Sequence, residues 1–202
     1  MEKRFTCAQR DAIDQGVRAR YTKAAHSPAG IFRFPTGLAG LQALQYDPAY
    51  LGKLPLEVAE SYCGVGNPFA LGAVSPGWRV LDAGSGAGVD AILAGLMTGK
   101  GGSVKGLDVV PEMVMRARRN ASEAGVGNVE FLEGSAEDLP FGSDEFDLII
   151  SNGALNLVVD KLKALAQLFR VLKPGAALQI ADQILVGELP SDTNAICAAW
   201  AR

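Results

Sequence analysis

The run Val80-Leu81-Asp82-Ala83-Gly84-Ser85-Gly86-Ala87-Gly88 constrains this chain more than any other stretch. A short apolar segment ends in an acid, three glycines follow at alternate positions, and a helix-like segment begins at once. That order predicts a buried strand, a tight turn and a helix N-terminus open to close approach by a ligand. Glycine accepts left-handed backbone and carries no Cβ to hold a ligand away. The spacing is D-x-G-x-G-x-G. A nicotinamide fingerprint, G-x-G-x-x-G, would need glycine where Val89 stands, which argues against an oxidoreductase.

A second anchor lies 20 positions after Gly88, where Asp108 ends the apolar strand beginning at Ser103. In a βαβ unit an acid at that distance sits at the carboxyl end of the neighbouring strand, where its two oxygens can accept from both hydroxyls of a ribose. The same residue is also placed to cap the helix that starts at Pro111. A third piece, Gly134-Ser135-Ala136-Glu137-Asp138-Leu139-Pro140-Phe141, follows the third strand. Together these pieces resemble the class I S-adenosylmethionine-dependent methyltransferases, with the glycine turn as their motif I.

The resemblance implies S-adenosyl-L-methionine as cofactor and a set of roles. Gly84 and Gly86, with Ser85 between them, let the backbone approach the methionine moiety, and Gly88 allows close helix packing. Asp82 orients the turn or the cofactor ammonium, Asp108 holds the ribose, and Val109 and Met113 flank the adenine. Ser135, Ala136 and Glu137 reach the adenine edge, Asn152 offers a carbonyl to the ammonium, and Asn67-Pro68 closes over the cofactor.

Alternating strand and helix patterns from Trp78 onward imply an α/β, Rossmann-like, doubly wound and mostly parallel sheet. Strands are predicted over Trp78–Asp82, Ser103–Asp108, Val129–Leu132, Phe146–Ile150 and Ala177–Ala181. Helices are predicted from about Gly88 to Met97, Pro111 to Ala124 and Lys161 to Leu172. The last carries Leu162, Leu165, Leu168, Phe169 and Leu172 as its core stripe. Residues 1–77 are punctuated by prolines and read as a helical and loop cap over a cofactor-binding domain of residues 78–202. Ile13, Val17 and Tyr21 recur at helical spacing there, and Pro55 starts a helix over Leu56 to Ser61. Members of the class add further strands; the sheet here reads as shortened at the C-terminus. Its exposed edge would invite a second copy, so a homodimer is an expectation.

Composition narrows the partners. The chain of 202 residues is 49% hydrophobic and 20% charged, with a net charge of −3, values of a globular domain with no reason to bind nucleic acid. The basic run Arg116-Ala117-Arg118-Arg119 reads as a solvated helix face. No apolar stretch reaches the length of a membrane span, and the N-terminus lacks a signal-peptide core, so a cytoplasmic location is expected. Three scattered cysteines and one histidine, His26, imply neither a disulfide framework, a metal site nor a His-based triad.

Within the class the chain resembles the arsenite methyltransferases. The matching pieces include Tyr62-Cys63-Gly64-Val65-Gly66-Asn67-Pro68 and the run from Ser151-Asn152-Gly153 to Asp160-Lys161. The departures fall on the chemistry: that subfamily's arsenic-binding cysteines are replaced by Val65 and Gly153, leaving only Cys63 and Cys197 for a shifted thiol set. Methyl transfer to a small-molecule acceptor is therefore the first reading. Arsenite methylation, and cofactor binding without turnover, are the alternatives. No catalytic residue is assigned; Tyr21, Tyr62 and Asp182 stand near the expected mouth.

Overall fold

The computed structural model describes residues 5–184, 186–187, 192, 195–197 and 200. Thr6 opens the first helix, α1 (Cys7–His26), through a capping box with Gln9. Three short helices follow: α2 (Gly37–Ala43), α3 (Pro48–Leu51), whose N-cap Asp47 accepts from Ala49 N, and α4 (Leu56–Ala59). A 3₁₀ turn (Pro68–Leu71) precedes the sheet.

The sheet alternates with helices as β1 (Arg79–Ala83), α5 (Val89–Thr98), β2 (Ser103–Asp108), α6 (Pro111–Glu123), β3 (Val129–Glu133), β4 (Phe146–Asn152), α7 (Lys161–Val171) and β5 (Leu172–Ala181). Every pairing is parallel and the order is β3-β2-β1-β4-β5. The chain winds outward from β1 to β3, then crosses back to place β4 on the other side of β1. In such sheets a crevice opens at the carboxyl ends of the two strands flanking the reversal, here β1 and β4.

Burial explains the sequence texture. Val80, Leu81, Leu148, Ile149 and Ile150 are fully buried, as strands covered on both faces must be. Replacing Ile149 by alanine should lower unfolding free energy by about 2–5 kcal/mol. Urea titration would register this as a lower midpoint with an unchanged slope. The N-terminal helices share this core: Leu41, Tyr46, Leu54, Val58 and Tyr62 pack in one cluster with Val80, Ile92, Leu93 and Val114.

Three expectations need correction. β5 begins at Leu172, directly after α7, and not at Ala177. Among the described residues β5 is an edge strand, a position that tolerates proline. An irregularity in register at Phe146/Leu148 absorbs the extra residues, and Lys173 Nζ lies 2.6 Å from Asp147 Oδ1. On α7 the buried face is Ala164, Leu168 and Val171, leaving Leu162, Leu165 and Phe169 exposed. The larger side chains suggested the opposite face. The arginine run is not merely solvated: Arg118 donates twice to Phe131 O, Arg116 donates to Glu57 O, and Ala117 is buried. The C-terminal end of the sequence also reads as a helix; residues 195–197 are helical, and its other positions lie largely outside the described ones.

Candidate cofactor and acceptor site

The glycine turn leaves β1 with Gly84, Gly86 and Gly88 all in the left-handed region, φ +81°, +51° and +83°. Gly84 N and Ser85 N donate to Leu107 O, which pins the turn to β2. A Cβ on Gly88 would lie 2.6 Å from the Phe131 ring, so that glycine lets α5 pack against the sheet. One on Gly86 would meet nothing within 4 Å, so its face is open.

A cavity fills the crevice above β1, β2 and β4. Of the residues expected to hold a cofactor, Asp82, Gly84, Ser85, Gly86, Asp108, Val109, Ser135, Ala136, Glu137 and Asn152 line it. Gly88 and Met113 do not. Met113 is fully buried beneath α1 with Ala24, Ala25, Ala87 and Val110, because its place on the first turn of α6 points into that helix contact. Asn67 and Pro68 also stand outside the cavity: Asn67 caps the 3₁₀ turn and donates to Leu44 O and Gln45 O.

Asp108 is held by backbone amides on two sides. Oδ2 accepts from Gly86 N at 2.8 Å and Oδ1 from Val110 N at 2.9 Å. The N-cap of α6 is Val110, so Asp108 braces the glycine turn and the β2–α6 loop rather than capping the helix. Burial raises its pKa, and the two amides and Arg18 partly offset that. Asp82 is buried with Oδ2 lacking any partner, and Ser85 Oγ is likewise unpaired. Burial, then Asp90 and Asp108, push the Asp82 pKa well up. Unsatisfied buried polar atoms are costly, and on a cavity wall they mark where a ligand's polar groups belong.

α1 roofs the cavity with Ile13, Asp14, Val17 and Tyr21. Arg18 Nη1 donates to Val109 O at 2.5 Å, and Thr22 Oγ1 to Glu112 Oε2 at 3.1 Å, which fastens the roof to the β2–α6 junction.

The opposite wall holds a polar network that the sequence did not announce. Asn152 does not present a free side chain: its Oδ1 accepts from Val65 N and Gly66 N, and its Nδ2 donates to Gly66 O and Asp90 Oδ2. Tyr46 donates to Asp90 Oδ1 at 2.7 Å and lies 3.1 Å from Tyr62 Oη. Asp90 reads as an ordinary acid in the first turn of a helix, and Tyr46 as a loop aromatic. Only the fold brings them together.

Asp182 accepts from Asn156 N and stands outside the cavity, as does Cys197. Cys63 lines it, with burial pushing its thiol up to about 12. Among the described residues, no cluster of three or more His, Cys, Asp or Glu is placed to hold a metal, and no helix is long and apolar enough to cross a membrane.

Comparison with known proteins gives the fold its relatives. A methyltransferase-domain family matches residues 74–202. An arsenite methyltransferase of Halobacterium salinarum is 37% identical over 159 residues, 79% of this chain and 40% of that protein. A ubiquinone/menaquinone biosynthesis C-methyltransferase of Vibrio vulnificus is 41% identical over 108 residues, 53% of this chain and 42% of its own length. The chain thus spans less than half the length of these curated relatives. Among solved structures, an arsenic(III) S-adenosylmethionine methyltransferase from Chlamydomonas reinhardtii superposes with TM-score 0.60 at 35% identity, over 73% of this chain and 49% of that one. A SAM-dependent methyltransferase from Aquifex aeolicus gives TM-score 0.54 at 27% identity, over 79% and 81%. With its parallel 3-2-1-4-5 sheet and the matched domain, this chain belongs to the class I S-adenosylmethionine-dependent methyltransferases.

Proposed function

We propose that this protein transfers a methyl group from S-adenosylmethionine to a small organic molecule, with residues 78–202 holding the cofactor and residues 1–77 forming the cap over it. The observation that carries the reading is the coincidence of an open glycine cradle, a braced Asp108 and two unpaired buried polar atoms, Asp82 Oδ2 and Ser85 Oγ, in one cavity. These residues fit the cofactor: Gly84 and Gly86 admit its amino-acid end, Asp82 and Ser85 supply unused polar atoms there, Asp108 has lone pairs left for ribose hydroxyls, and Ser135 to Glu137 offer the base an edge. Bound there, the cofactor supplies an electrophilic methyl group and a neutral thioether leaving group. The protein's task is to aim that group and hold a nucleophile about 3–3.5 Å away while α1 keeps water out.

The relatives' names point to different acceptors, so the acceptor must be argued from this chain's own walls. Val65 and Gly153, which replace two cysteines of the arsenite enzymes, meet in space: a Cβ on Gly153 would lie 3.2 Å from Val65 Cγ1. An apolar contact therefore occupies the spot where a soft ligand pair would stand. Cys63 is a single thiol at the cavity wall, not a pair, and burial raises its pKa, which disfavours the thiolate. Arsenite is expected to leave S-adenosylhomocysteine formation at its background rate. A rise of tenfold or more, read by chromatography of the product nucleoside, would restore the arsenite reading.

The reading as a whole is tested by mass spectrometry of the nucleoside that co-purifies, followed by an acceptor screen. Among the described residues no strand pairs with the outer edge of β5, and Leu162, Leu165 and Phe169 are exposed on α7, which supports the further proposal of a homodimer. Sedimentation of a clean monomer at high concentration counts against it.

A further inference from the structure

We propose that the methyl acceptor is a small phenol-like molecule that gives up a proton as it is methylated, and that Tyr62, Tyr46 and Asp90 carry this proton from the cavity wall into the protein. The inference rests on the reading above and adds the acceptor's class and the path of its proton.

The path is continuous. Tyr62 lines the cavity, its Oη is 3.1 Å from Tyr46 Oη, and Tyr46 Oη is 2.7 Å from Asp90 Oδ1. Glycine at position 64 keeps the first phenol within reach of a ligand. A Cβ there would stand 2.6 Å from Tyr62 Oη and 2.4 Å from Asn152 Nδ2. Gly66 O lies within 2.8 Å of Tyr62 Oη and 3.0 Å of Tyr46 Oη and fixes both rings. Ile13, Val17, Leu155, Leu157 and Val158 add apolar wall that suits the body of a small uncharged acceptor.

The far end suits a proton store. Asp90 is buried and accepts from Tyr46 Oη and Asn152 Nδ2, an arrangement that favours its ionised form. Burial acts the other way and holds its pKa up, at about 6. The groups that face it are Asp82 from β1, Tyr46, Tyr62 and Cys63 from the cap, and Asn152 from β4; none is a cation.

The step balances. The acceptor O–H bond breaks as the O–CH₃ bond forms, and the pair of the S–CH₃ bond stays on sulfur. The acceptor proton moves to Tyr62 Oη, the Tyr62 proton to Tyr46 Oη, and the Tyr46 proton to Asp90 Oδ1. A sulfonium and a carboxylate become a thioether and a carboxylic acid, so two opposite charges are discharged together inside a low-dielectric site. Burial then favours the product state at both ends. Burial also raises the pKa of Tyr62, so it relays a proton and does not act as a standing phenolate.

Calorimetry in buffers of different ionisation enthalpy tests the store directly, with S-adenosylmethionine and S-adenosylhomocysteine as probes at pH 7. The thioether complex should take up close to one proton more than the sulfonium complex, and Asp90→Asn should erase that difference. In Tyr46→Phe, which keeps the carboxylate but removes a donor, the pH of half-uptake should move upward. Equal proton counts for the two probes, a difference that survives Asp90→Asn, or an unmoved half-uptake pH in Tyr46→Phe would overturn the inference while leaving the methyltransferase reading intact. Failure of both probes to bind would overturn both.

The kinetic arm uses catechol as the protic probe. Its single-turnover methylation should slow at least tenfold in Tyr62→Phe with S-adenosylmethionine affinity unchanged within twofold. Equal rates would remove Tyr62 as the point where the proton enters, and no catechol turnover by the wild type would overturn the phenol-like acceptor.

Discussion

Alanine in place of Gly84 should reduce S-adenosylmethionine affinity by at least 100-fold. Two independent effects act at this position. Gly84 has φ +81°, in a region that costs an L-residue about 1–2 kcal/mol. The added Cβ would also stand 2.1 Å from the Ala154 Cβ, in the loop after β4 on the other side of the crevice. A clash of that depth between a rigid turn and a backbone-anchored methyl cannot be relieved by a rotamer change. Either the turn or the 154 loop must move, and both line the cavity. Isothermal calorimetry reads the affinity, and a thermal melt within a few degrees of the wild type separates this local effect from unfolding. Wild-type affinity in a folded Gly84→Ala protein would mean that the turn does not touch the ligand.

Asp108→Ala should weaken binding by about 2–3 kcal/mol, the loss expected when charge-assisted hydrogen bonds are removed from a buried site. The substitution acts twice. It deletes the acceptor proposed for the ribose, and it frees Gly86 N and Val110 N, which Asp108 now holds at 2.8 and 2.9 Å. Asp108→Asn keeps the shape and one acceptor oxygen, so it should fall between alanine and wild type in the same titration. If asparagine is as damaging as alanine, the charge matters more than the bracing. If neither changes affinity, Asp108 is a loop brace alone.

Much of the frame was legible because the signals were local. The glycine turn needs left-handed backbone, and only glycine supplies it without strain, so the strand-turn-helix unit could be placed from composition and spacing. The runs at β1 and β4 are apolar on both faces, and parallel sheets bury both. Errors arose where a neighbour overrode a local signal. Pro174 and Gly175 look like a stop, yet β5 passes through them, and among the described residues no strand pairs with its outer edge. Leu162, Leu165 and Phe169 look like a core stripe, yet α7 turns its smaller residues inward. The family resemblance assigned Met113 to the adenine, but α1 covers it and it does not line the cavity.

The site was legible only in its half nearest the glycine turn. Asp108 and the Ser135–Glu137 segment follow from strand ends, which topology gathers at one edge of the sheet. The other half depends on pairs far apart in the chain. Tyr46 and Asp90 are separated by 44 positions, and Tyr62 and Asn152 by 90. No periodicity links such residues, and each alone resembles a common loop or helix residue. The contact between Val65 and Gly153 belongs to the same class: the two substitutions are visible in the sequence, but their meeting at one point is a property of the fold.

The crevice above β1 and β4 is proposed to hold a sulfonium nucleoside in the glycine cradle. Titrating the purified chain with S-adenosylmethionine in a calorimeter tests it most directly, with Gly84→Ala and Asp108→Ala alongside. Saturable binding at one site per chain, weakened at least 100-fold by the first substitution and by about 2–3 kcal/mol by the second, is the expected result. No measurable binding by the folded wild type, or binding indifferent to both substitutions, would contradict it.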